Sequence, residues 1–205
     1  MVVIIDYGLG NLFSVAKAFE IIGSDVLITN NLDKIKQSDR LVLPGVGAFE
    51  DGIKYLQQKG LDKQIREEVL VKKKPILGIC LGLQLLADVS FEYGNHKGLG
   101  FIKGKVKKLD VNKFNLKVPH IGWNNIEIKK QTPLFKGIVS GEDFYFVHSY
   151  NLHCLDNSDL VAVSSYGEQI TAAIQKDNIF ATQFHPEKSQ DMGLKFLENF
   201  IKWNP

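Results

Sequence analysis

Lys74-Pro75-Ile76-Leu77-Gly78-Ile79-Cys80-Leu81-Gly82-Leu83-Gln84-Leu85-Leu86 is the stretch around which the chain is built. Pro75 opens a short apolar run, of the length of a buried strand rather than a helix. Cys80 then stands between two glycines in Gly-x-Cys-x-Gly, the cysteine form of a nucleophile elbow, where a strand turns sharply into a helix. The residue at such a turn is held in a strained backbone conformation. Side chains two residues away on either side would clash there, which accounts for Gly78 and Gly82. The sulfur is expected above the carboxyl end of the strand, facing the N-terminus of the next helix. That helix end carries free N–H groups and partial positive charge, which favour a thiolate and an oxyanion. A cysteine between a strand and a helix is also commonly a small buried hydrophobe, so its partners must decide between the two readings.

Upstream, residues 2–5 read as a buried strand ending at Asp6, followed by the turn Tyr7-Gly8-Leu9-Gly10-Asn11 and a helix over 12–22. Gly8-x-Gly10 fails as a dinucleotide-binding fingerprint, because Phe13 occupies the third glycine position, and reads as a tight turn. A second strand covers 25–29, a loop with a short helix 30–38, and a third strand 40–43. The third strand ends in Pro44-Gly45-Val46-Gly47, either an ordinary turn or a mobile backbone able to present N–H groups to a ligand. Helical patterns follow at 49–58 and 61–71, then the strand 76–79 and a short helix to about Ala87. Strands alternating with helices predict a parallel sheet covered on both faces. Ligands of such sheets bind at the carboxyl ends of the strands, where Asp6, 44–47 and Cys80 all fall.

The second half changes character. Short strands are expected at 104–109, 125–128, 144–147, 160–163, 171–175 and 179–183, separated by turns such as Asn157-Ser158-Asp159 and Lys176-Asp177-Asn178. They predict an antiparallel portion beside the parallel one. The last strand runs into Gln183-Phe184-His185-Pro186-Glu187-Lys188-Ser189. A closing helix over 190–202 carries Met192, Phe196, Leu197, Phe200 and Ile201 on one face. In His185-Pro186-Glu187 a histidine at a strand end can serve a thiol as base, and a glutamate two residues on can orient it. Pro186 fixes the intervening backbone. The tripeptide alone also reads as a capping histidine beside a surface glutamate.

The 205 residues, 44% of them hydrophobic and 23% charged, suit one globular domain over 1–205. The net charge of +2 and the scattered lysines give no basic face for nucleic acid. Two cysteines, Cys80 and Cys154, make no disulfide framework, and a reducing, cytoplasmic setting is expected. No secretory signal or long apolar span is visible, so no membrane association is expected. The five histidines show no metal-ligand spacing, and His-x-Glu lacks the Cys-x-x-Cys of a zinc deaminase site.

Elbow, Pro-Gly-Val-Gly turn and His-Pro-Glu tripeptide together resemble the class I glutamine amidotransferases, in the right order and over nearly the whole chain. The resemblance implies a flavodoxin-like α/β fold, with a mostly parallel central sheet, helices on both faces and an antiparallel strand portion. It implies a Cys80–His185–Glu187 triad and no cofactor or metal. Val46, Gly47, Leu81, Gln84, His148, Ser149 and Tyr150 would form the oxyanion and substrate site. Four further stretches look like the branch of the family that serves imidazole glycerol phosphate synthase. They are Asp6-Tyr7-Gly8-x-Gly10-Asn11, Leu43-Pro44-Gly45-Val46-Gly47, Val118-Pro119-His120-Ile121-Gly122-Trp123-Asn124 and Tyr145-Phe146-Val147-His148-Ser149-Tyr150. One departure is Leu83, where methionine is common.

That branch implies a glutaminase that makes ammonia for a (βα)8-barrel cyclase, paired with it as a heterodimer. Asn11, Pro119, Trp123, Asn124, Tyr145 and Lys188 would face the cyclase. Three other readings stay open on the residues alone. They are a paralogue feeding another synthase, for example in surface-sugar amidation, a cysteine hydrolase such as a γ-glutamyl hydrolase, and a non-catalytic binding module.

Overall fold

A computed structural model describes residues 1–205. The first half runs β1 (Val2–Ile5), α1 (Leu12–Ile21), β2 (Val26–Thr29), α2 (Leu32–Gln37), β3 (Arg40–Gly45), α3 (Phe49–Gln58), α4 (Leu61–Arg66), β4 (Ile76–Cys80) and α5 (Leu81–Leu85). The second half runs β5 (Ala87–Ser90), β6 (His96–Lys97), β7 (Ile102–Lys108), β8 (His120–Asn125), β9 (Glu127–Ile128), β10 (Asp143–His148) and β11 (Tyr150–Cys154). It closes with β12 (Leu160–Tyr166), β13 (Glu168–Lys176), β14 (Ile179–Thr182) and α6 (Gln190–Lys202).

The central sheet has the order β2-β1-β3-β4-β14-β13-β12-β9. Its first five strands are parallel, in the flavodoxin-like order, and the last three continue it antiparallel. Side chains alternate across a strand, and β1 shows the result. Val2 and Ile4 enter a core with Phe19 of α1 and Phe196 and Phe200 of α6. Val3 and Ile5 enter a second core with Ile35 of α2, Phe49 and Leu56 of α3 and Ile65 of α4. Both faces of the parallel strands are therefore covered, as the near-continuous apolar runs require. No helix is long and apolar enough to cross a membrane.

The antiparallel portion is less separate than expected. β14 joins the parallel strands, with Thr182 opposite Ile79 of β4. Two smaller sheets, β10-β8 and β11-β7-β5-β6, complete the fold. The strand expected at 125–128 is two strands. β8 ends at Asn125 against Asp143, β9 pairs Ile128 with Ala162, and buried Ile126 forms the joint. The helix after the elbow stops at Leu85, because Ala87 already pairs with Ile102. The helix expected over 61–71 becomes a π-helical turn at Glu67–Val71. There the Glu68 carboxylate is buried between Lys72 and Lys74, at 2.7 and 2.9 Å.

Candidate active site

Cys80 is the last residue of β4 and lies at φ +54, ψ −107, a strained position for a side chain with a Cβ. The glycines around it are demanded by contacts. A Cβ on Gly82 would sit 1.8 Å from the carbonyl oxygen of Leu43, and one on Gly78 would sit 3.0 Å from the Ala181 Cβ. Register places Gly45, the last residue of β3, directly beside Cys80. The 44–47 turn therefore borders the sulfur. A Cβ on Gly45 would lie 2.1 Å from the Tyr7 hydroxyl and 3.0 Å from the Leu81 Cβ, so turn and elbow touch backbone to side chain. Gly47 follows at φ +107.

His185 leaves the sheet just beyond β14, the parallel neighbour of β4, and only 2% of it is exposed. Its Nδ1 lies 2.7 Å from Glu187 Oε1. An ionised carboxylate can only accept, so the proton sits on Nδ1 and Nε2 is left to exchange a proton. Nε2 has no hydrogen-bond partner. Burial works against a charged ring, but the Cys80 sulfur and the Glu187 carboxylate outweigh it and raise the His185 pKa. The backbone here is pinned from both sides. Tyr145 O accepts the His185 N–H at 2.9 Å. Ser189 Oγ donates to His185 O at 2.6 Å and accepts the Tyr145 N–H at 3.0 Å.

In front of Cys80 lies a cavity of about 260 Å³ lined by Val46, Gly47, Cys80, Leu81, Gln84, Glu92, Pro119, Val147, His148, Ser149 and Tyr150. All seven residues expected to bind substrate or oxyanion line it. Gln84 donates from Nε2 to Tyr150 O and to Gln183 Oε1, both at 3.0 Å. Both amide protons are thus engaged within the chain, and only its carbonyl oxygen is free for a ligand. His148 is similarly engaged. Its Nδ1–H donates to Tyr150 O, so Nε2 must accept from His120 Nδ1 at 2.9 Å. Burial depresses the pKa of His148 to about 3 and that of His120 to about 4, which keeps both rings neutral as this chain of donors needs. His148 is a wall of the cavity and offers it no free nitrogen.

A family model described as glutamine amidotransferase class-I matches residues 3–203. The chain belongs to the class I glutamine amidotransferases. It is similar to a Campylobacter jejuni protein named imidazole glycerol phosphate synthase subunit HisH 1, at 53% identity over 98% of this chain and 100% of that one. A Sulfurimonas denitrificans protein named imidazole glycerol phosphate synthase subunit HisH is 49% identical over 99% and 98% of the two chains. Among solved structures, PurLQS from Thermotoga maritima superposes with a TM-score of 0.77 at 19% identity, covering 98% of this chain and 97% of that one. At that identity the likeness is one of fold.

The residues expected to face a partner lie at the start of α1, on or beside β8, on β10 and just after His185. Asn11 is exposed and caps α1, accepting the Ser14 N–H at 3.4 Å. Trp123 and Tyr145 pack edge to face at 6.1 Å, with Lys188 Nζ 5.6 Å above the Tyr145 ring. Trp123 is 48% exposed, so core packing does not account for it. Pro119 sits on the cavity rim. Asn124 is turned inward, its amide engaged by Ser165 O at 2.9 Å and His120 Nε2 at 3.3 Å.

Three residues were missed as site residues. Gln183 Nε2 lies 3.6 Å from Cys80 Sγ. It is two residues before His185, and the period of a strand could have flagged it. Ser189, which pins His185, stood in the quoted motif without a role. Glu92 lines the cavity with its Oε2 accepting the Phe49 N–H at 2.8 Å. Burial raises its pKa, against the effect of that N–H. No local signal marks Glu92.

Proposed function

We propose that this chain is the glutaminase subunit of an imidazole glycerol phosphate synthase in histidine biosynthesis, with residues 1–205 acting as one domain. The names of its full-length relatives support this reading. The observation that carries the chemistry is Cys80 at φ +54 beside a buried histidine held by a carboxylate at 2.7 Å. Cys80 Sγ attacks the side-chain amide carbon of glutamine. The N–H of Leu81 and N–H groups of the Val46–Gly47 turn receive the oxyanion, a donor of that kind contributing about 3 kcal/mol to the transition state. His185 Nε2–H protonates the departing ammonia, and Glu187 holds the ring. Water then hydrolyses the γ-glutamyl thioester. Glu92, a buried carboxylate on the cavity wall, suits the ammonium group of glutamine, and the Gln84 carbonyl oxygen suits an N–H of the substrate.

Ammonia passes to a (βα)8-barrel cyclase docked on the strand-end face, where Trp123, Tyr145 and Lys188 gather as a contact patch. Asn11, Pro119 and Asn124 border it. The complex is a heterodimer. The free thiols Cys80 and Cys154 suit a reducing cytoplasm. The test is synthesis by the chain mixed with candidate synthase subunits. With the histidine-pathway cyclase, Cys80→Ser is expected to abolish glutamine-dependent synthesis and preserve synthesis from added ammonia. Glutamine turnover near the wild-type rate in Cys80→Ser would remove the triad. Activation only by a different synthase would make this chain a paralogue.

A further inference from the structure

The His185 imidazolium balances the sulfur's charge only while it keeps its Nε2 proton, which goes to ammonia. α5 is five residues long, too short to build a substantial macrodipole. The structure holds one other donor on the sulfur. Gln183 is fully buried, with its Nε2 3.6 Å from Cys80 Sγ.

The orientation of that amide is forced. Tyr150 O is a backbone carbonyl and can only accept, so the Gln84 amide must turn its nitrogen toward it, at 3.0 Å. The second Gln84 proton then needs an acceptor, and Gln183 supplies Oε1 at 3.0 Å. Gln183 is left with its N–H toward the sulfur. The sequence of donors starts at a backbone carbonyl and ends at the nucleophile, with no freedom to flip in between. A thiol is a weak acceptor and a thiolate a strong one. In the thiol state the S–H instead has Val147 O within 3.7 Å. The site therefore offers an acceptor to the thiol and, besides His185, an uncharged donor to the thiolate.

We propose that Gln183 is a catalytic residue whose amide N–H holds the Cys80 thiolate before attack and receives it again when the thioester breaks. This rests on the reading of Cys80 as nucleophile. In acylation the sulfur's electron pair forms the S–C bond, the C–N bond breaks, and the His185 Nε2 proton leaves with ammonia. Gln183 keeps its own protons throughout. In deacylation a water oxygen bonds the carbonyl carbon and its proton goes to His185 Nε2. The C–S bond then breaks, and its electron pair returns to the sulfur opposite the Gln183 N–H. Tyr7, from the turn after β1, and His185 are the titratable groups whose charges couple to Cys80. Glu187 and His148 act through His185, and Glu92 lines the same cavity.

The experiment measures alkylation by iodoacetamide across pH in the full-length wild type, Gln183→Leu and Gln183→Glu. Mass spectrometry separates Cys80 from Cys154, which serves as internal reference. Gln183→Leu removes the donor. Gln183→Glu also removes it and keeps an acceptor for Gln84, but adds a negative charge that itself opposes the thiolate, so its shift counts only together with that of the uncharged variant; thermal melting checks both folds. The Cys80 profile is expected to move to higher pH in both variants, with the rate at pH 7 down roughly ten- to a hundredfold, the worth of one hydrogen bond to a charged group. A folded variant with the wild-type Cys80 profile overturns the proposal, including one that binds glutamine less well, since that is what a purely structural Gln183 would give. If Gln183→Leu does not fold, Gln183→Met, uncharged and of similar length, takes its place. Wild-type Cys80 reacting no faster than Cys154 would instead remove the nucleophile itself, and this proposal with it.

Discussion

Glu187→Gln changes one charge and almost no volume at the group that holds His185, and the structure sets which way the new amide will turn. Glu187 Oε1 accepts from His185 Nδ1 at 2.7 Å, while Oε2 is buried without a hydrogen-bond partner. An amide placed with its oxygen toward Nδ1 would bury both N–H groups where nothing accepts them, at about 1–3 kcal/mol for the unsatisfied donors. Turned the other way, its N–H meets Nδ1, and the His185 proton must move to Nε2. That tautomer has no lone pair facing the sulfur. Loss of the charge alone would cost roughly tenfold, the step from a charge-assisted to a neutral hydrogen bond. The wrong tautomer in an analogous triad costs about 10⁴ in kcat. We expect a fall of about 10³ to 10⁴ in glutaminase kcat, with KM little changed because Glu187 does not line the cavity. The loss of a carboxylate that raises the His185 pKa also moves the alkaline limb of the profile to lower pH. The assay is steady-state glutamine hydrolysis in the activated complex. A kcat within about threefold of wild type would refute the orienting role of Glu187.

Two further outcomes follow from the geometry. Gly82→Ala puts a Cβ 1.8 Å from Leu43 O, so β3 or α5 must shift; we expect about 1–3 kcal/mol of lost stability in chemical denaturation together with loss of activity, and an unchanged midpoint would contradict the contact. Two of the five histidines, His120 and His148, have pKa values depressed to about 4 and about 3, so they stay neutral at pH 5 while an unfolded chain binds their protons. Stability they contribute is complete above the unfolded value of ~6.5 and is lost as pH falls toward about 4 and then about 3. Ring-proton NMR showing all five histidines titrating near their ordinary value would contradict the buried neutral pair.

Much of the site was legible in the order of residues because its strictest demands are local. A nucleophile at positive φ needs small neighbours within two residues, so Gly78 and Gly82 announce the elbow around Cys80. A histidine and a carboxylate two apart across Pro186 sit within one turn of backbone. Period-2 alternation and apolar runs of strand length mark the parallel strands, since a strand covered on both faces has no polar side to show. The resemblance to a family added seven residues expected to bind substrate or oxyanion, and all of them border the same space as Cys80.

Tertiary structure decided what depends on partners far apart in the chain. Gln84 and Gln183 are 99 residues apart, and only their meeting beside Tyr150 O orients the amide on the sulfur. Glu92 reaches the cavity because the Phe49 N–H, 43 residues away, holds it there. β8 and β11 exist because β10 and β7 pair with them, and Ile126 divides one expected strand into two by entering the core. Steric rules act over a few residues and leave a mark in the sequence. A hydrogen-bond donor is assigned its acceptor by the packing of whole elements, and nothing in its own neighbours records which acceptor that will be.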